Sequence, residues 1–76
     1  MRDLIRFLAE SLVARPEQVT VSETESEGVV VEELRVARED LGKVIGRQGR
    51  TAKAIRTLLS VAAARQGKKA KLEIAE

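Results

Sequence analysis

The fold is decided by residues 41–55, which read LGKVIGRQGRTAKAI. Leu41, Val44 and Ile45 recur at the spacing of one helical face, which predicts a short helix. Gly46 should end that helix, because glycine adopts positive φ angles at little cost. A second helix should follow, so the four residues GRQG form a turn between two helices.

This turn has the features of a phosphate-binding site. Arg47 and Gln48 should lie at its tip, and Gly49 lets the backbone of a ligand come close because it has no Cβ. The second helix should begin at Arg50, and its free N–H groups would attract an anion. The basic side chains around the turn are Lys43, Arg47, Arg50 and Lys53. Two glycines can also simply end one helix and start the next, but this basic surrounding favours a site for phosphate.

The composition favours a small globular protein without catalytic or metal chemistry. The 76 residues have room for a single domain, residues 1–76, and 43% of them are hydrophobic. The chain has no cysteine and no histidine, which excludes disulfides and the usual zinc sites. The acidic stretch Glu23–Gly28 lacks the spacing of a calcium loop, and no P-loop motif is present. We therefore predict no enzyme activity, no metal site and no cofactor.

Charge is distributed unevenly along the chain. The formal net charge is +2, but residues 1–38 sum to −3 and residues 39–76 to +5. A charge difference of this size can reflect no more than a mixed, solvated surface. Because the basic half also contains the predicted turn, it favours a polyanionic partner. No apolar run is long enough to span a membrane, and the first residues lack the apolar segment of a signal peptide, so we expect a cytoplasmic protein without membrane association.

The remaining elements are predicted from hydrophobic periodicity. A first helix should begin near Asp3 and end before Pro16, with Phe7 beside its apolar stripe and in the core. That stripe consists of Leu4, Ile5, Leu8 and Leu12. Strands are predicted over residues 17–22, 29–37 and 70–74, with residues 23–28 as a hairpin loop. The second helix of the motif should run from Arg50 to Arg65, with Ile55, Leu58, Leu59 and Ala62 on its core face.

Glu32 does not fit the alternation of its strand. Leu34 and Val36 define the apolar face, and the same face would carry this charge. Either a bulge shifts the register, or position 32 lies near an exposed end of the sheet; the sequence leaves both open.

The order of elements is helix, strand, strand, short helix, long helix, strand, which predicts an α+β protein. Three strands should form one mixed sheet, with the helices on one face. The first two strands should pair as an antiparallel hairpin, and the helical crossover allows the last two to be parallel.

The motif resembles a known family of nucleic-acid-binding domains. Residues 44–49, VIGRQG, are similar to the I-G-x-x-G signature of KH domains, whose loop clamps a four-nucleotide single strand. The element order resembles the type II, prokaryotic KH arrangement. Residues 34–56 closely resemble the small bacterial single-KH proteins of the KhpA type, and the similarity extends over nearly the whole chain. Departures from the family pattern are Leu41, Arg47 and Glu32, of which only the last affects the local strand prediction.

The resemblance implies RNA binding without catalysis. Members of that family are described as RNA chaperones or post-transcriptional regulators linked to cell-shape control. The implied partners are single-stranded RNA and either a second copy or a larger Jag-type KH protein (KhpB). Carried over, residues 46–49 would hold the sugar-phosphate backbone, while Val44, Ile45 and Ile55 would form or support an apolar floor. Lys43, Arg50 and Lys53 would set the surrounding charge.

Two other features bear on function. The only aromatic residue is Phe7, so stacking of bases on aromatic rings, as in RRM or OB folds, is not expected. The small core and the alanine-rich stretch 62–64 favour association with another protein molecule. A protein-interaction module in which RNA binding is secondary is therefore the alternative function.

Overall fold

The computed structural model describes residues 1–76 and contains three α-helices and three β-strands. The helices are α1 (Arg2–Leu12), α2 (Leu41–Ile45) and α3 (Arg50–Arg65). The strands are β1 (Thr20–Ser26), β2 (Val29–Arg35) and β3 (Lys69–Ile74). Short 3-10 turns occupy Pro16–Gln18, Arg38–Asp40 and Arg47–Gly49. None of the helices has the length and apolar composition needed to cross a lipid bilayer.

The three strands form one mixed sheet with β2 in the centre. β1 pairs with β2 in antiparallel orientation, and β2 pairs with β3 in parallel orientation. The parallel pair requires a long connection, which α2, the glycine turn and α3 supply. The predicted α+β order and the mixed sheet covered by helices are confirmed.

A single apolar cluster joins all three helices to the sheet. Its buried members are Ile5, Ala9, Val19, Val21, Leu34, Val44, Ile55, Leu59 and Leu72. Val44 belongs to α2 and Ile55 to α3, and both side chains are almost fully inaccessible to solvent. Burial of such a side chain stabilises the fold by about 1.5–3 kcal/mol. The core contacts of Val44 and Ile55 therefore fix the two helices that flank the glycine turn.

The β1–β2 hairpin differs from the prediction. We expected a strand over residues 17–22 and a loop over 23–28, but β1 extends to Ser26 and the loop is only Glu27–Gly28. Both loop residues have positive φ angles, 52° and 78°, as a tight two-residue hairpin turn requires. Val21 is the one buried residue of β1. The rest of the strand therefore lacks the apolar alternation by which strands are recognised. The second strand, in contrast, was predicted to reach Ala37 but ends at Arg35.

α1 is shorter than predicted and exposes its aromatic residue. The helix ends at Leu12, whereas the sequence predicted that it would continue to just before Pro16. The prediction that Phe7 lies in the core is wrong, since 66% of this residue is accessible to solvent. Leu12 is also exposed, and the core positions of the helix are Ile5 and Ala9.

The bounds of α3 are as predicted, but its core face is rotated. Ile55 and Leu59 are buried as expected, whereas Leu58 is 48% exposed and Ala62 is half-buried. The positions that complete the core face are Ala52 and Ala63. Small residues pack there because the helix lies close to the sheet.

The position of Glu32 contradicts both predicted alternatives, a bulge in the strand and an exposed end of the sheet. The β1–β2 and β2–β3 registers run through residue 32 without a bulge, and β2 is the central strand. Its side chain is completely buried, in line with Val30 and Leu34 on the face that the helices cover. The carboxyl group of Glu32 therefore lies inside the core.

Candidate nucleic-acid interface

The turn between α2 and α3 begins at a position that only glycine can occupy. Gly46 has φ 78° and ψ 168°, and its N–H donates to the Gly42 carbonyl at 2.8 Å, which closes α2. A Cβ at this position would lie 2.2 Å from Thr51 Oγ1 and 2.8 Å from the Thr51 backbone nitrogen. Any side chain would therefore displace the first turn of α3.

The tip of the turn is left-handed and open. Gln48 has φ 58° and ψ 25°, an uncommon conformation for a residue with a side chain, and Gly49 follows with φ 74° and ψ 14°. The Gly49 N–H donates to the Gly46 carbonyl at 3.0 Å, which fixes the loop. In contrast to Gly46, a Cβ at Gly49 would meet no atom within 4 Å. The space in front of Gly49 is therefore free for a ligand.

The turn leads into a helix start without a side-chain cap. Gly49 is the N-cap residue of α3 and has no side chain to accept a bond from the first N–H groups. α3 is 16 residues long, so its aligned peptide dipoles place a substantial partial positive charge at this end. An anion is the ligand that satisfies both features.

The basic residues predicted around the turn differ in whether an acidic side chain of the protein already pairs with them. Arg47, Arg50 and Lys53 are exposed and form no ion pair. Arg50 Nη2 donates to Gln48 Oε1 at 3.1 Å, so these two side chains lie together beside the turn. Lys43, in contrast, lies 3.3 Å from a carboxylate oxygen of Asp40. Its charge is partly neutralised within the protein.

Asp40 connects this site to the rest of the fold. It is fully buried, and its two oxygens accept hydrogen bonds from the N–H groups of Ala14 and Arg15 at 3.1 and 3.0 Å. Burial alone would raise the pKa of Asp40, but these two bonds and Lys43 outweigh it, so that the net pKa is lowered. The charged carboxylate therefore fixes the segment before β1 to the start of α2.

The apolar residues of the motif divide between support and surface. Val44 is fully buried and Ile55 is 3% exposed, so both lie beneath the site rather than on it. Ile45 is half-buried at the surface and packs against the core cluster. Of the three residues expected to form or support an apolar floor, Ile45 is the one placed to touch a ligand.

A groove between α3 and β3 extends the site along the basic side of α3. Its volume is about 340 Å³, and Leu59 and Leu72 form part of its apolar surface. The other lining residues are Arg56, Ser60, Ala70, Lys71 and Glu73. None of these seven was predicted as a site residue. The polar face of α3 placed Arg56 and Ser60 beside Lys53, but the packing of α3 against β3 was needed to show that they border a groove.

Comparison with protein families identifies the fold. The family model that describes the KH domain of KhpA and KhpB matches residues 2–74 of the chain. The chain belongs to the KhpA/KhpB KH-domain family. This confirms the predicted resemblance to the KhpA-type proteins and covers the whole site described above.

Individual relatives support the same assignment. The chain is 50% identical to the RNA-binding protein KhpA of Clostridium perfringens over 74 residues, which is 97% of this chain and 99% of the relative. It is 46% identical to the RNA-binding protein KhpA of Chlamydia caviae over 76 residues, 100% of this chain and 97% of the relative. Identity to the RNA-binding protein KhpA of Treponema pallidum is 54% over 61 residues, 80% of this chain and 76% of the relative.

Solved structures of Era share the KH fold of this chain. A variant of Aquifex aeolicus Era bound to GDP·AlF4− superposes with a TM-score of 0.67 at 20% identity. Era in complex with MgGDPNP and nucleotides 1506–1542 of 16S ribosomal RNA superposes with a TM-score of 0.60 at 25% identity. In both cases 96% of this chain is covered, but the chain spans only 28% of the Era chain.

Proposed function

We propose that residues 1–76 act as one KH domain and form a non-catalytic RNA-binding protein that clamps the backbone of single-stranded RNA at Gly46–Gly49. The observation behind this proposal is the uncapped start of α3 beneath an open glycine turn, with three unpaired cations around it. A phosphate at this point would accept hydrogen bonds from the free backbone N–H groups of α3. Its charge would be neutralised by Arg47 and Arg50. The relatives are named RNA-binding proteins and one Era structure contains ribosomal RNA, and both facts support RNA as the ligand.

The groove between α3 and β3 is the proposed path for the bases. A strand held at the turn would continue along Lys53 and Arg56 and place its bases against Ser60, Ala70 and Lys71, above the buried Leu59 and Leu72. No aromatic side chain lines this groove, so the bases gain packing and hydrogen bonds but no stacking on rings. We therefore expect modest affinity and weak base preference. Both properties suit an RNA chaperone or a cytoplasmic post-transcriptional regulator that acts on many transcripts, including those that control cell shape.

The clamp is tested by reversing the charge at the tip of the turn. Arg47→Asp/Gln48→Asp should weaken binding of a short single-stranded RNA by an order of magnitude or more, since two carboxylates would occupy the phosphate position. Both side chains are exposed, so the melting temperature should change little. Binding is measured by fluorescence anisotropy and folding by circular dichroism.

The chain contains its own matched control for this experiment. Arg65 and Gln66 form the same dipeptide at the opposite end of α3, and both are exposed. Arg65→Asp/Gln66→Asp introduces the same charge change away from the turn and should retain most of the affinity. Equal binding by the turn variant and the wild type would show that Gly46–Gly49 merely connects two helices.

The second candidate function is a protein-interaction module. The observation in its favour is that three large apolar side chains are exposed on α1 and α3: Phe7 (66%), Leu58 (48%) and Val61 (51%), here called the apolar patch. α1 and α3 pack against each other, so this patch lies on two adjoining elements. Large exposed apolar side chains on adjoining helices are typical of protein interfaces. We propose that it pairs the chain with a second copy or with a larger Jag-type KH protein (KhpB), in addition to RNA binding.

A further inference from the structure

Glu32 is a buried acid that the proposed RNA site does not use. Its side chain is fully inaccessible, and neither carboxylate oxygen accepts a hydrogen bond. Asp40, the other buried acid, is satisfied by two N–H groups and a lysine. An ionised carboxylate without partners costs several kcal/mol in such an environment, so ordinary packing does not explain Glu32.

The groups around Glu32 come from three elements. Across the β1–β2 ladder its direct partner is Glu23, and side chains so paired have Cβ atoms about 4.5–5.5 Å apart. On β3 its partner is Leu72, which is uncharged. α1 packs against both β1 and β2, and the cationic side chain of Arg2 in its first turn attracts both carboxyl groups. The pair therefore lies beneath the first turn of α1.

We propose that Glu32 and Glu23 form a proton-binding pair that couples pH to the docking of the first turn of α1. When Glu32 is protonated, it has one O–H group to donate, and the facing Glu23 carboxylate is the acceptor. The attraction between the Glu23 carboxylate and the cationic Arg2 then connects the pair to the helix start. When the proton is lost, two carboxylates face each other, one of them buried, and the first turn must open to let water reach Glu32.

The electrostatics of the site agree with this arrangement. Burial is the largest cause that raises the pKa of Glu32 from 4.5 to about 7, and the facing Glu23 adds to it through a shared proton and its charge. Sharing that proton with Glu32 is the main cause that lowers the pKa of Glu23. The pair thus shares one proton between two unequal sites. The chain has no histidine, so no imidazole competes with Glu32 near neutral pH.

The pH dependence follows from the direction of the shift. Between about pH 4.5 and pH 7 the folded protein keeps a proton at Glu32 that the open form loses. Stability of the docked helix is therefore fully present below this interval, falls as pH rises through it, and stays at the lower value above it. An acid with an ordinary partner, such as Asp40, produces the opposite trend, with stability lost towards low pH.

The direct test is a carbon-detected NMR titration of the side-chain carboxyl carbons of glutamate in the wild-type protein. Glu32 should titrate with a midpoint near neutral pH and perturb the Glu23 signal in the same interval. Glu33, the neighbour on the outer face of β2, serves as the internal reference. A Glu32 midpoint equal to that of Glu33 would overturn the proposal.

The coupling to α1 is tested by hydrogen exchange at the Ile5 amide, which donates to the Met1 carbonyl at 3.3 Å. In the wild type its protection factor should fall by roughly an order of magnitude between pH 5.5 and pH 8. Glu32→Gln keeps the shape of the protonated acid and should remove this fall, whereas the control Glu33→Gln should retain it. A fall that persists in Glu32→Gln would show that Glu32 does not couple pH to α1.

Discussion

At the scale of single residues, the two glycines of the turn have different structural roles. Gly46 is constrained from within, because the space for a Cβ is filled by the side chain and backbone of Thr51. Gly49 also has a positive φ angle but faces open space. The first glycine is thus required for folding, and the second for the approach of a ligand.

Alanine at each position should separate these roles. Gly46→Ala should lower the free energy of unfolding by roughly 3 kcal/mol or more, because backbone strain adds to a steric overlap that cannot relax. Gly49→Ala should cost only about 1–2 kcal/mol, the strain of a left-handed residue, while still weakening RNA binding. Urea denaturation gives the first quantity and fluorescence anisotropy the second. Equal losses of stability in the two variants would contradict the assigned roles.

At the scale of elements, α3 has a core side and a basic side. Arg50 and Lys53 begin the basic side at the turn, and Arg56 continues it along the groove. Their charges have no acidic partner in the protein. Lys43 on α2 lies close in sequence but is paired with Asp40.

This difference predicts unequal effects on the salt dependence of RNA binding. Each phosphate neutralised on a single strand contributes about −0.7 to the slope of log affinity against log salt concentration. Arg50→Ala/Lys53→Ala should flatten the slope by roughly one unit, with similar effects on all RNA sequences. Lys43→Ala, the control, should change the slope much less. An unchanged slope in the double variant would mean that α3 presents only a solvated face.

The elements of the fold differ, for physical reasons, in how well their sequence predicts them. The bounds of α3 and the helix–turn–helix arrangement were predictable because helical periodicity and glycine positions agree there. The extent of β1 was not, because its exposed positions are polar and only Val21 marks the buried face. The candidate turn was found from Gly46 and Gly49, but the groove depends on contacts between α3 and β3, which are distant in sequence. The alternation of β2 placed Glu32 on the apolar face, but a charged side chain is rarely buried without a partner, so the sequence left its position open.

At the scale of the whole molecule, a thin core leaves an apolar patch uncovered. The alanine-rich stretch at residues 62–64 was expected to allow close approach of a partner, but Ala63 is completely buried within the core. Phe7, Leu58 and Val61 are the exposed large apolar residues of the patch. Self-association or pairing through this patch remains our prediction, with a different set of residues.

Charges placed in the patch should prevent association without unfolding the protein. Leu58→Lys/Val61→Lys should shift a dimer towards monomer in equilibrium sedimentation, because desolvating two lysines in an interface is unfavourable. Both positions are about half exposed, so each monomer should retain its helical circular dichroism. Ser22→Lys/Thr24→Lys adds the same charge to exposed positions of β1, on the face of the sheet away from the helices, and should leave association unchanged. A wild-type protein that is monomeric at all concentrations, and that recovers no KH partner from extract, would refute the prediction.

The parallel pairing of β2 with β3 also determines when the site can form during synthesis. Val29 pairs with Lys69, so about half of the chain must be made between the two partners. Until β3 emerges from the ribosome, the central strand has one open edge, and α3 lacks the strand that forms the other wall of the groove. The complete turn sequence is therefore translated well before the groove that it serves. We expect the groove to form only when β3 closes the sheet, in a step dominated by contacts between distant residues.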